Sequence, residues 1–167
     1  MNYLETEAFI KKHYVRYAKK YLKNISHECT INDIPIIIRY PGDILKVVNI
    51  DHAIHEHLIV VSLNKKNRLI KASVIAVDDL THSICDILAE ALLRKAARII
   101  TVYNHIYGEH SLTEAPEPSE DDIIRLNKTY KMCSRNGILL LDNIILNRFG
   151  KYFSESEHMC SMSEYPS

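Results

Sequence analysis

Leu58-Ile59-Val60-Val61-Ser62-Leu63 is followed by Asn64-Lys65-Lys66-Asn67 and then by Arg68-Leu69-Ile70-Lys71-Ala72-Ser73-Val74. The first run is continuous, apolar and of strand length, which marks a buried strand. The four polar residues, with an asparagine at each end, carry turn chemistry, and the third run returns as a second strand. The segment therefore predicts a hairpin.

Downstream, Asp78 or Thr81 is placed to cap a helix carrying Ile84, Ile87, Leu88, Ala91 and Leu92. Ile99-Ile100-Thr101-Val102 is β-branched throughout and too short for a helix, so a second buried strand follows. Ser119 is a good N-cap, with Glu120, Asp121 and Asp122 in the first turn, where the helix dipole favours acids. That helix runs to Gly137, which stops it. Residues 138–146 predict two short strands on either side of Asp142-Asn143, and a last strand falls at Tyr152-Phe153.

Upstream, Ile36-Ile37-Ile38 is an apolar run, and Pro41-Gly42-Asp43 reads as a turn and cap opening a short helix through Val48. Residues 3–24 place Tyr3, Leu4, Phe9, Ile10, Tyr14, Tyr17, Ala18, Tyr21 and Leu22 at helical spacing, with lysines between them. The expected fold class is α/β, a mixed central sheet flanked by helices. Residues 1–40 are expected to form an N-terminal basic helix and linker, residues 41–154 the α/β domain, and residues 155–167, which lack periodicity, a disordered tail.

The chain has 167 residues, 47% apolar and 25% charged, which suits one globular domain with a proper core. Its formal net charge is zero, so the overall balance gives no support for holding nucleic acid by phosphate neutralisation. Charge is uneven, however. Lys11, Lys12, Arg16, Lys19, Lys20 and Lys23 face only Glu5 and Glu7 in the first stretch. This reads as the solvated face of a packed helix, or as a surface for nucleic acid or an acidic partner. The four cysteines form no Cys-x-x-Cys pair, which argues against a zinc ribbon or a disulfide scaffold. No signal segment or membrane-length apolar run is present, and the cytoplasm is the expected compartment.

Three features carry chemistry. Glu56 stands between His55 and His57 just before the hairpin, Tyr103-Asn104-His105 ends the second buried strand, and Ser119 and Asp122 open a helix. Between them, residues 104–118 form a long loop with Gly108, His110, Pro116 and Pro118, at the strand end where α/β sheets build their sites. A carboxylate, an imidazole and a second carboxylate delivered to one cleft are what a hydrolytic metal site requires. Each feature alone has a plainer reading: histidines at strand ends usually lie at the surface, and Ser-x-x-Asp at a helix start is usually capping.

In order, Glu56-His57-Leu58, Asn67-Arg68-Leu69, Ile87-Leu88-Ala89-Glu90-Ala91-Leu92, Tyr103-Asn104-His105-Ile106-Tyr107-Gly108, Ser119-Glu120-Asp121-Asp122 and Leu140-Leu141-Asp142-Asn143 resemble the motifs of the RadC-like JAB/MPN domain. In that family the corresponding strand ends in His-Asn-His-Pro-Ser-Gly. The resemblance implies a JAB/MPN-like fold, layered like cytidine deaminases, and descent from zinc hydrolases of peptide or isopeptide bonds, in a family associated with DNA repair. It implies Glu56 as general acid/base, His105 and Asp122 as zinc ligands, and Ser119 as the oxyanion donor.

The chain departs from the pattern at Tyr103, which holds the first-histidine position. A phenol with a pKa of about 10 must lose its proton to bind zinc well, whereas imidazole is ready at neutral pH. The loop of 13 residues between His105 and Ser119 is also longer than the family's, and Ile106 replaces its proline. Three readings stay open. The site has lost tight metal binding and the protein works as an interaction module for a protein or peptide. Alternatively His110, with Glu109 or Glu114 behind it, supplies a replacement zinc ligand. Least favoured is Tyr103 binding as a phenolate. Residues 1–40 contain no glycine, so the helix-hairpin-helix turns of many RadC-like proteins are not visible, and the basic first helix is the local feature suited to phosphate.

Overall fold

A computed structural model of the chain describes residues 36–48, 56–77, 83–105, 114–147 and 149–163. Strand β1, His57–Leu63, and strand β2, Leu69–Val77, form the hairpin. Its turn is organised by Asn64, whose Oδ1 accepts the backbone N–H groups of Lys66 at 2.8 Å and Arg68 at 3.1 Å. Asn67 takes a φ of 56°, a left-handed conformation asparagine tolerates better than most residues. Helix α1, Ser83–Leu93, leads to strand β3, Arg98–His105. Helix α2, Glu120–Arg135, crosses over to strand β4, Leu139–Asn147, and strand β5, Tyr152–Ser154, leads into helix α3, Glu155–Ser163.

The five strands lie in the order β2-β1-β3-β4-β5. Only β3 and β4 run parallel, the pairing that the α2 crossover makes, so the sheet is mixed. α2 stops as its sequence predicts. Gly137 adopts a φ of 70°, and the Gly137 and Ile138 N–H groups close back on Ser134 and Cys133.

The sheet has an apolar cluster on each face. On one side Leu58, Val60, Ile99, Tyr103 and Leu140 pack under Ile87, Leu88 and Ala91 of α1 and Cys133 of α2. On the other, Ile59, Val61, Leu63, Val102, Ile144 and Leu146 pack under Ile38, Ile44, Val47 and Val48. Ile44 belongs to a short 3-10 helix, Pro41–Lys46, in place of the expected helix through Val48. Every residue of β1 from Leu58 to Leu63 is buried, as a strand covered on both faces should be.

Two expectations fail. β4 is one continuous strand instead of two around Asp142-Asn143. Both polar residues are buried with partners: Asn143 Oδ1 accepts from Thr101 Oγ1 at 2.8 Å, and Asp142 reaches α3. The tail expected to be disordered from residue 155 instead forms α3 through Ser163. Its N-terminus is held by Ser154, whose Oγ accepts the Glu157 N–H at 3.2 Å, and by the Asp142 carboxylate, which accepts the Ser156 N–H at 3.0 Å. The basic helix expected at residues 3–24 and the caps at Asp78 or Thr81 lie outside the described residues. Among the described residues no helix is long and apolar enough to cross a membrane.

Candidate functional site

Alternation along β3 puts Tyr103 and His105 on the face covered by α1 and α2. Asn104 points the other way, and its Oδ1 accepts the backbone N–H of His57 at 2.5 Å, tying the start of β1 to the end of β3. Leu58 pairs with Tyr103 across the antiparallel ladder. The β1–β3 ladder ends at that pair, and Glu56 stands two residues before Leu58 as His105 stands two residues after Tyr103.

α2 delivers the second carboxylate. Ser119 is the N-cap, and Asp122 is the third helical residue of a capping box. Asp122 Oδ2 accepts the Ser119 N–H at 2.9 Å and the Ser119 hydroxyl at 2.7 Å, while Ser119 Oγ accepts the Asp122 N–H at 3.2 Å. The same Oδ2 lies 3.2 Å from His105 Nε2, and Oδ1 lies 3.2 Å from Arg125 Nη1. Arg125, one turn along α2, also lays its guanidinium over the Tyr103 ring at 5.0 Å from the centroid.

These contacts decide the electrostatics. Burial disfavours the Asp122 charge, but hydrogen bonds from His105 and Ser119 outweigh it and hold the carboxyl far below the usual range. Burial pushes the Tyr103 phenol up to about 12, although Arg125 beside it works in the opposite direction. Tyr103 is therefore a neutral phenol near pH 7, only 3% exposed.

His105, Asp122 and Ser119 thus meet within hydrogen-bonding distance, and Glu56 lies just before β1, the strand that pairs with β3. His110 and Glu109 lie outside the described residues. Glu114 is exposed, and its backbone carbonyl accepts from Asn147 Nδ2 at 3.3 Å, which moors the end of the long loop to β4. The sequence does not single out Arg125 or Asn147, and Asn104 enters it only within the Tyr103-Asn104-His105 run. The three-residue spacing from Asp122 to Arg125 on a helix is the one signal that pointed to any of them. Beside the site opens a cleft of about 570 Å³ lined by Pro116, Glu117, Pro118, Ile123, Phe153 and Glu155, among others.

The family model of the RadC-like JAB domain matches residues 38–160. The chain belongs to that family. Among similar proteins, a UPF0758 protein of Clostridium acetobutylicum is 38% identical over 105 residues, which cover 61% of this chain and 43% of the relative. A UPF0758 protein of Geobacillus thermodenitrificans is 35% identical over 126 residues, 72% of this chain and 52% of the relative. One from Clostridium novyi is 33% identical over 127 residues, with the same coverage. The chain spans about half the length of these relatives.

The RadC-like JAB pattern implies zinc. His105 Nε2 lies 3.2 Å from Asp122 Oδ2, a separation that suits an N–H···O hydrogen bond and equally two ligands of one tetrahedral ion. A carboxylate has about four acceptor positions. Those of Asp122 meet the Ser119 N–H, the Ser119 hydroxyl, His105 and Arg125. The neutral phenol of Tyr103 sits under a cation. Among the described residues no group of three or more His, Cys, Asp or Glu is arranged to hold an ion. As arranged, these residues do not fit zinc.

Proposed function

We propose that this RadC-like JAB domain is a binding module for a protein or peptide, with its metal site degraded at Tyr103 and weak or no hydrolase activity. The observation that carries the reading is the buried Tyr103 phenol, pushed up to about 12 at the position where the family pattern has its first histidine. Zinc in catalytic sites ordinarily has three protein ligands, and a phenol held neutral supplies none.

The cleft next to Ser119 supports a peptide as the partner. Pro116, Pro118, Ile123 and Phe153 offer an apolar floor, and Glu117 and Glu155 offer carboxylates for a basic residue. The family's association with DNA repair would reach this chain through Lys12, Arg16 and Lys19 in the basic first stretch, a weaker reading on a chain with no net charge.

Metal content of protein purified without chelator, then incubated with excess zinc, tests the proposal. The expected result is no stoichiometric zinc and no peptidase or isopeptidase turnover. Stoichiometric zinc lost on His105→Ala or His110→Ala would overturn it in favour of an active zinc hydrolase with a loop ligand. A salt-dependent DNA shift abolished by neutralising Lys12, Arg16 and Lys19 would replace the peptide with nucleic acid as the partner.

A further inference from the structure

Asp122 is engaged from every side by groups of this chain, and the one that most resembles an ion is Arg125. Its Nη1 lies 3.2 Å from Asp122 Oδ1, it stands three residues along the same helix, and its guanidinium covers Tyr103. The arginine is largely shielded, with 18% of its side chain exposed, and Asp122 is 4% exposed. The pair is therefore a nearly buried cation and carboxylate, each of which would be costly to leave alone.

We infer that Arg125 is a built-in substitute for the metal: a fixed positive charge that neutralises Asp122, stacks on Tyr103 and, with that tyrosine, keeps a divalent ion out. The inference rests on the degraded-site reading and goes further, because it names the cause. Zinc bound to a carboxylate sits at roughly 2.0–2.2 Å from the oxygen. An ion at Oδ1 would have to displace the guanidinium, and an ion at Oδ2 would have to compete with the Ser119 N–H and hydroxyl of the capping box. Tyr103 and Arg125 are matched. Tyr103 supplies the aromatic face on which Arg125 lies, and Arg125 supplies the charge that Asp122 needs in the absence of an ion.

The test compares metal uptake by wild type, Tyr103→His, Arg125→Ala and the double variant. Equilibrium dialysis uses zinc alone, cobalt(II) serves as a visible-absorption probe of tetrahedral coordination, and thermal unfolding confirms that each protein is folded. Wild type and Arg125→Ala should take up no stoichiometric metal. Tyr103→His should bind weakly, and the double variant should bind one zinc per chain, about tenfold tighter or more, the scale on which neighbours of ligands tune affinity. If Arg125→Ala unfolds the protein, Arg125→Gln removes the charge while keeping most of the bulk. Equal affinity in Tyr103→His and the double variant would refute the role of Arg125 while leaving the degraded site intact. A folded double variant that takes up no metal would refute it too. Wild-type zinc abolished by Asp122→Asn would instead sink the degraded-site reading.

Discussion

Asp43 sits in the first turn of the 3-10 helix Pro41–Lys46 and carries a pH dependence that can be signed. Its carboxylate accepts from Lys46 Nζ at 2.6 Å and from the backbone N–H groups of Arg39 at 2.9 Å and Tyr40 at 3.2 Å. Lys46 foremost, then these backbone bonds, lower its pKa from 3.8 to about 2. A carboxyl depressed on folding stabilises the native state above its unfolded value and loses that contribution as pH falls through the folded one. Asp43→Asn should therefore be less stable than wild type by about 1 kcal/mol at pH 7, the usual scale of a capping contact. Urea midpoints should show that gap closing between pH 4 and pH 2 and staying constant above pH 5. A gap that widens on acidification would contradict the assignment. The Pro-Gly-Asp string announced this turn, just as Ser-x-x-Asp announced the capping box of α2, because both are local chemistry. Neither string reveals that Asp122 also meets His105, a contact made by β3 and α2 coming together in the fold.

β4 and α3 show where local patterns fall short. The sequence suggests a break at Asp142-Asn143, because two polar residues interrupt an apolar run. The break does not occur, since a register shift between Ile99 and Ile100 lets β3 follow, and each polar side chain finds a buried partner. Asp142 accepts the Asn143 N–H at 2.8 Å, the Ser154 hydroxyl at 2.7 Å, and the Ser156 N–H and hydroxyl at 3.0 and 2.9 Å. A helix made of Glu-Ser-Glu-His-Met-Cys-Ser-Met-Ser has little apolar periodicity to declare it, and part of its N-terminal support comes from an aspartate 14 residues before Ser156. Asp142→Ala would strand several buried donors and should cost about 3 kcal/mol. Truncation after Ser154 should cost a similar amount, and the two changes together should cost clearly less than their sum, because both remove the same contacts. Denaturant unfolding of the three variants gives the answer. A truncation with no effect would restore the picture of a disordered tail.

The sheet as a whole is a partition between two cores, and its strand order was only partly legible. Hairpin pairing follows from a short turn, and the parallel β3–β4 pair follows from an intervening helix, but nothing local states that β1 lies between β2 and β3. That placement results from burial: β1 is apolar on both faces and takes an interior position, where Ile59 and Val61 feed one cluster and Leu58 and Val60 the other. Because one strand contributes to both clusters, neither can open without exposing the other's backbone ladder. The domain should therefore unfold as a single cooperative unit. Ile99 lies fully buried in the cluster under α1, and Ile144 lies fully buried in the opposite one. Replacing either with alanine should cost about 2–5 kcal/mol. The two losses should add to within roughly 0.5 kcal/mol, since the side chains share no partner across the sheet. Urea unfolding of both single variants and the double, followed by far-ultraviolet circular dichroism and by tyrosine fluorescence, should give coincident single transitions in every case. Separate transitions by the two probes, or a double variant that loses only one cluster, would mean that the faces fold independently, and the interior place of β1 would then not be what couples them.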